Sequence, residues 1–265
     1  MDASISRREF MARAGAPVIM ASAVNAFGVA QTNEAWQIGC YIRPWNQFEH
    51  DVALDAIAEA GFKYTGLLTT KPNNKFGITV NTTTEEAVAI GEECRKRGLA
   101  LPSAYGGEIP LNSVETGIAG MHRLIDNCVA AQVANLMMGG VGTPELAEVY
   151  YRAIGESCGY ADEKGIGVSV KPHGGTNSTG PQCRALIEKV NKKNFRLWYD
   201  PGNIYYYSEG ALNPVDDAAT VDGLVAGMSV KDYREPKTVD VTPGTGMVDF
   251  AKVLARLKQG GFTSG

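Results

Sequence analysis

What most constrains this chain is a rhythm in which short aliphatic or β-branched runs alternate with longer amphipathic stretches, with Gly, Pro or Asn between them. Parallel strands need a crossover of a dozen or more residues, and a helix is the usual one, so the alternation predicts a parallel sheet wrapped by helices. Strands are predicted at 36–42, 62–68, 99–105, 135–138, 166–170, 195–199 and 225–230. Helices are predicted at 50–60, 84–97, 113–131, 144–164, 180–193, 213–219 and 248–258. Thr83 or Thr84 suits the start of the second helix, and Arg95-Lys96-Arg97-Gly98 suits its end, with positive charge at the C-terminal pole and Gly beyond it. That makes seven βα units, and the eighth has only Gly260-Gly261-Phe262 of its beginning. The expected fold is an α/β, (β/α)8 TIM barrel lacking the eighth βα unit at the C-terminus. Truncation is the expected reason, since an open parallel edge invites aggregation.

The amino terminus carries a different signal. Ser6-Arg7-Arg8-Glu9-Phe10-Met11 precedes an apolar stretch from Ala14 to Ala30, which is too short and too rich in Ala and Gly to span a bilayer. Gly28-Val29-Ala30 supplies the small residues of a cleavage site, and the Arg-Arg-x-Phe pattern resembles a twin-arginine signal. The expected organisation is a leader over 1–30 and one barrel domain over 31–265, exported to the periplasm or otherwise outside the cytoplasm. No linker long enough to divide the roughly 235 residues after the leader is visible, and a single barrel needs about that many.

At 44% hydrophobic and 20% charged, with a net charge of −4, the chain has the composition of a globular domain. No basic run beyond Arg95-Lys96-Arg97 offers a footprint for a nucleic-acid backbone, so nucleic acid is not an expected partner. No later segment reaches the length of a membrane span. The five cysteines are far apart and odd in number, which predicts neither a zinc motif nor a disulfide framework; buried thiols are expected.

In such barrels chemistry sits just past the strand ends. That position holds Arg43, Trp45 and Asn46 after the first strand, and Tyr105 and Glu108 after the third. Lys171, His173 and Asn177 follow the fifth, Asp200, Asn203 and Tyr205 the sixth, and Lys231 and Asp232 the seventh. Together they predict a polar cup with aromatic walls, suited to a polyol or hydroxy-carbonyl compound, with Arg43 able to hold an anionic group bidentately. Plainer roles are open for several of them. His173 suits a Pro-His-Gly-Gly turn, Asp200 before Pro-Gly suits another, and Lys231 with Asp232 suits a solvated loop pair. His50 and His122 are expected on helix surfaces. The run Tyr205-Tyr206-Tyr207 suits either a sugar-binding rim or a barrel cover.

Val170-Lys171-Pro172-His173-Gly174-Gly175, Tyr199-Asp200-Pro201-Gly202-Asn203 and Ser229-Val230-Lys231-Asp232 each end a strand, and Gly244-Thr245-Gly246-Met247-Val248-Asp249-Phe250 follows them. In that order the four fragments resemble the xylose-isomerase-like TIM barrel superfamily of sugar phosphate isomerases and epimerases. The resemblance implies a small-molecule carbohydrate substrate and proton abstraction next to a carbonyl. It also implies one divalent metal (Mn, Mg, Co or Zn), held by a Glu, an Asp, a His and a Glu ending strands five to eight. Of these only Asp200 carries over. Lys171 stands at the first Glu, Ser229 at the His, and the last Glu would lie beyond Gly265. A protonated amine ligates no metal, so what remains is a weak site of Asp200 and His173 with waters. The catalytic assignment that follows is Lys171 as the positive charge at the enediolate oxygen or as a base, His173 as proton carrier and Glu108 as the second carrier. Arg43, Trp45, Tyr105, Asn203 and Lys231 are assigned to substrate binding. A lyase or hydratase acting on an oxidised sugar and a noncatalytic carbohydrate-binding barrel are the alternatives, and a homo-oligomer is compatible with all three.

Overall fold

All seven expected strands appear in the computed structural model, which describes residues 36–68 and 77–263; the leader expected at 1–30 lies outside the described residues. The strands are β1 (Gly39–Tyr41), β2 (Tyr64–Leu67), β3 (Ala100–Tyr105), β4 (Asn135–Met138), β5 (Gly167–Val170), β6 (Phe195–Tyr199) and β7 (Val225–Met228). Each pairs in parallel with the next, in the order β1-β2-β3-β4-β5-β6-β7. Among the described residues no eighth strand joins β7 to β1, so the sheet curls into a TIM-type wall without closing.

The helices are α1 (His50–Glu59), α2 (Thr84–Lys96), α3 (Val114–Ala131), α4 (Pro144–Glu163), α5 (Gly180–Val190), α6 (Pro201–Tyr207), α7 (Pro214–Ala218) and α8 (Phe250–Gln259). Local sequence sets their ends. Thr83 with Glu86, Ser113 with Thr116 and Thr179 with Gln182 form reciprocal caps at the starts of α2, α3 and α5. Arg97, just past α2, reaches Asp55 of α1 at 2.5 Å and Glu93 at 2.9 Å, tying the first two helices together.

The core lies between the outer face of the sheet and the helices. Leu136, Met138, Val168, Val170, Leu197 and Tyr199 alternate along β4 to β6 and are fully shielded from water. Tyr199 faces outward, since its hydroxyl donates to Pro214 O at 2.7 Å and Asp217 Oδ1 at 3.0 Å on α7. The neighbours Trp198 and Asp200 therefore point into the barrel. The interior is filled by an unusual pairing: Tyr41 lies over Gly66, Tyr105 over Gly139 and Trp198 over Gly227, each ring crossing to a glycine on an adjacent strand or its C-terminal end where any Cβ would collide with it. The four cysteines other than Cys40 are buried and all five are free thiols.

Three expectations are corrected. The first strand is shorter than 36–42, because β1 has a single hydrogen-bonded neighbour among the described residues. The segment after Asp200, read as a turn, begins a helix: Pro201 brings a fixed φ to N1 and the Asp200 carboxylate accepts from Asn203 N at 3.0 Å. His50 is buried rather than on the surface, and burial holds its imidazole down at about 4. His122 is half-buried and stacks on Tyr160 at 4.0 Å.

Candidate active site

Three consecutive strands each deliver one charged side chain to the same point. Lys171 follows β5, Asp200 follows β6 and Lys231 lies just past β7, and all project into the mouth at the C-terminal ends of the strands. Lys171 Nζ stands 2.9 Å and Lys231 Nζ 3.2 Å from the same oxygen, Oδ2, of Asp200. The carboxylate is wholly buried, Lys171 nearly so, and Lys231 keeps 31% of its side chain open to solvent. Burial pushes the Asp200 carboxyl up, but the two ammoniums and the Asn203 N–H outweigh it and hold the group below the usual carboxylate range. For Lys231 the balance runs the other way. Burial, with the charges of Lys171 and Arg43, lowers its ammonium despite Asp200.

Asn203 fixes the arrangement. Its Nδ2 donates to Pro172 O at 2.6 Å, which leaves Oδ1 to accept from Lys231 Nζ at 3.0 Å. Asn177 Nδ2 donates to Lys171 O at 2.6 Å and to Gly139 O at 3.0 Å, so it shapes the β5 loop from within. Above this floor the His173 ring sits between Tyr105 and Tyr207, with centroids 6.1 and 6.0 Å away. Its imidazole is lowered to about 4 by burial first and then by Lys171, Lys231 and Arg43. The residue is exposed at the edge of the mouth, beside the charges of Lys171, Lys231 and Arg43. Neutral His173 is then the form at pH 7.

The remaining expected residues divide. Tyr105 belongs to the mouth, its hydroxyl raised by burial and the Glu108 charge, with Arg43 opposing. Arg43 is exposed at the rim, and its field reaches Tyr105, His173 and Lys231. Glu108 is exposed on the same rim. Trp45, in the 3-10 turn Arg43–Trp45, is half-buried and packs against the core.

The plainer alternative for Lys231 and Asp232, a solvated loop pair, does not hold. Asp232 is fully buried and accepts four backbone N–H bonds, from Tyr233 at 2.8 Å, Gly244 at 2.9 Å, Gly246 at 2.7 Å and Val248 at 3.0 Å. It clamps the β7–α8 loop and has no part in the mouth. Tyr207 comes to the mouth from the end of the unanticipated α6, so the reading of the tyrosine run as a rim or a cover left open which of the three would face the site. The three tyrosines go separate ways: Tyr205 stacks on Tyr233 at 5.4 Å, Tyr206 meets Lys237, and Tyr207 flanks His173.

A divalent ion does not fit this donor set. Among the described residues no three His, Cys, Asp or Glu side chains converge. The inner oxygen of Asp200 already faces two ammoniums, and a third cation there would meet both. What stands in the mouth is a carboxylate with fixed positive charges around it, suited to stabilising an oxyanion on a bound molecule.

An open parallel βα barrel with polar, aromatic-walled chemistry at its C-terminal mouth is the class defined so far. The sequence places it further: residues 54–264 match the family described as Xylose isomerase-like TIM barrel, and the chain belongs to that family. Similar solved structures include a Xylose isomerase-like TIM barrel protein from Mycobacterium smegmatis in complex with magnesium, at 17% identity and TM-score 0.69, covering 86% of this chain and 88% of that one. Another is a D-psicose 3-epimerase solved in the presence of D-fructose, at 14% identity and TM-score 0.66 over 86% and 83%. A third is a probable 3-DHS dehydratase from Bacillus anthracis, at 14% identity and TM-score 0.64 over 83% and 88%. No curated protein matches the sequence.

Proposed function

We propose that this protein is an exported sugar isomerase- or epimerase-like enzyme that removes and returns a proton on the carbon beside a carbonyl of a small carbohydrate or related polyol. The observation that carries this reading is the Lys171–Asp200–Lys231 cluster at the strand ends, with neutral His173 beside it. Removing a proton next to a carbonyl puts negative charge on the carbonyl oxygen, and the Lys171 ammonium, pinned by Asp200, is a preorganised partner for that charge. A neutral imidazole ring nitrogen accepts the carbon-bound proton and gives it back. Tyr105 and Tyr207 offer flat walls for a sugar, and Arg43 at the rim holds an anionic end if the substrate has one. The resemblance of Arg7-Arg8 and the following apolar stretch to a twin-arginine signal supports the part of this reading that puts the activity outside the cytoplasm.

Exchange of substrate protons with solvent tests it. Ketoses and 2-keto sugar acids are incubated with the protein in D2O and followed by proton NMR. Deuterium is expected at one carbon next to the carbonyl, and Lys171→Met is expected to slow incorporation at least about 100-fold. Binding without exchange across the panel would make the protein a carbohydrate-binding barrel instead. Exchange accompanied by loss of a hydroxyl would make it a dehydratase, the activity carried in the printed name of one of its structural relatives.

A further inference from the structure

The two lysines that share Asp200 Oδ2 are not equivalent. Lys171 is the closer, at 2.9 Å, with a side chain only 10% exposed; Lys231 is farther, at 3.2 Å, and 31% exposed. Lys231 also has a second anchor in Asn203 Oδ1 at 3.0 Å, and its stem lies so tightly against the first turn of α6 that a Cβ at Gly202 would strike it. One amine is thus nearly buried in the floor, while its neighbour is held by two slightly longer contacts nearer the opening, oriented by an amide and a carboxylate. An amine that a carbonyl carbon can reach, standing beside a second fixed cation, is the arrangement of an imine-forming lysine.

We propose that Lys231 forms a protonated imine with the carbonyl carbon of the substrate, with Lys171 as the fixed cation beside it. This rests on the proton-abstraction reading above. The Lys231 ammonium gives one proton to Asp200, and the freed amine adds to the carbonyl carbon, forming a C–N bond. A second N–H proton passes to the former carbonyl oxygen. That oxygen then leaves as water with the proton returned by Asp200. The product is an iminium carrying the remaining N–H proton, so atoms and charge balance with no co-reactant. The iminium draws electrons from the neighbouring C–H bond, whose proton moves to His173 and leaves an enamine. Return of the proton and attack by water on the iminium release the product and restore the lysine. The covalent electron sink does the work that a divalent ion would do, at a donor set that does not fit one.

The test uses the full chain with dihydroxyacetone and, separately, hydroxypyruvate as probes, in the presence of sodium cyanoborohydride. Peptide mass mapping then gives the rate of reduced adduct formation at each lysine. Adduct is expected at Lys231 at least about tenfold faster than at Lys252, whose side chain is 74% exposed and which reports ordinary surface reactivity. Adduct at Lys231 no faster than at Lys252, or adduct concentrated on Lys171, overturns the proposal. Lys231→Arg keeps the charge but forms no imine, and solvent exchange of the probe protons is expected to be lost while the thermal midpoint stays near wild type. If that variant folds and still exchanges protons at the wild-type rate, the imine is overturned and proton abstraction survives. If the wild type neither traps nor exchanges either probe, both readings fall.

Discussion

Asp200 is the residue whose replacement speaks most directly to how the mouth is held together. Asp200→Asn removes the charge and little else, because Asn is as good an N-cap as Asp and its amide oxygen can still accept from Asn203 N at the start of α6. It leaves two ammoniums facing one another, one of them almost fully buried, without the carboxylate that stands 2.9 and 3.2 Å from them. Removing one partner of a buried charge pair costs about 3–5 kcal/mol. Lys231 is partly exposed and can turn to solvent or lose its proton, so the lower end, about 3 kcal/mol, is expected. For a domain of this size that lowers the thermal midpoint by about 6–12 °C, read by circular dichroism at pH 7. Lys171→Met added to Asp200→Asn is expected to recover about half of the loss, since it removes the stranded charge. A single variant within about 0.5 kcal/mol of wild type, or a double variant less stable than the single, would refute the view that these ion pairs organise the mouth.

Asp232→Ala leaves four backbone N–H groups, two of them buried, without their acceptor and is expected to open the β7–α8 loop, seen as new proteolytic cleavage between Thr242 and Met247. The carboxyls of Asp200 and Asp232 are both held below their ordinary value, so the stability they contribute is complete above about pH 4 and lost as pH falls further. Asp232→Asn should flatten that acid limb in a pH series of thermal midpoints. His50 and His173 are both lowered to about 4, so the unfolded chain binds more protons than the folded one between pH 4 and 6.5, and stability is expected to rise with pH across that window. His173→Gln should reduce the slope there. Gly139→Ala drives a methyl into the Tyr105 hydroxyl, and about 1–3 kcal/mol of destabilisation is expected in urea, together with loss of solvent exchange if Tyr105 walls the substrate.

The sheet was legible because its signal is periodic and local. Runs such as Asn135–Met138 and Phe195–Tyr199 are short, apolar and bracketed by breakers, and both lie where they were expected. The misreadings share a physical origin in partners far along the chain. β1 shortens because pairing, not propensity, decides where a strand ends, and only β2 pairs with it among the described residues. Asp200-Pro201-Gly202-Asn203 has the composition of a turn, yet those residue types equally suit a helix N-terminus, and the seven-residue α6 that follows is too short to show periodicity. His50 reads as a surface residue at a helix start, yet it is buried along with Ala53, Leu54 and Ile57 of α1.

The mouth was partly legible for a geometric reason. Neighbouring parallel strands lie about 4.8 Å apart, so inward-facing residues just past the ends of three successive strands fall within reach of one another. A carboxylate after β6 with an amine after each flanking strand must therefore pair across, and the departures from the family's ligand pattern are best understood together. Placing Lys171 where the resemblance implies a carboxylate does more than delete a ligand. It supplies a charge of the opposite sign, which Asp200 then neutralises in place of a metal. Lys231 adds a second cation to the same oxygen, so one carboxylate serves two amines and the mouth keeps a surplus of positive charge. Sequence alone cannot rank those two lysines, because each is simply a residue past a strand end. Their depths separate them: the β5 lysine is nearly buried, while the β7 lysine packs its stem against the first turn of α6 and keeps 31% of its side chain open to solvent. A buried cation suits electrostatic stabilisation and a reachable one suits covalent attachment, so the same inequality that sequence cannot read is what divides the chemistry between them.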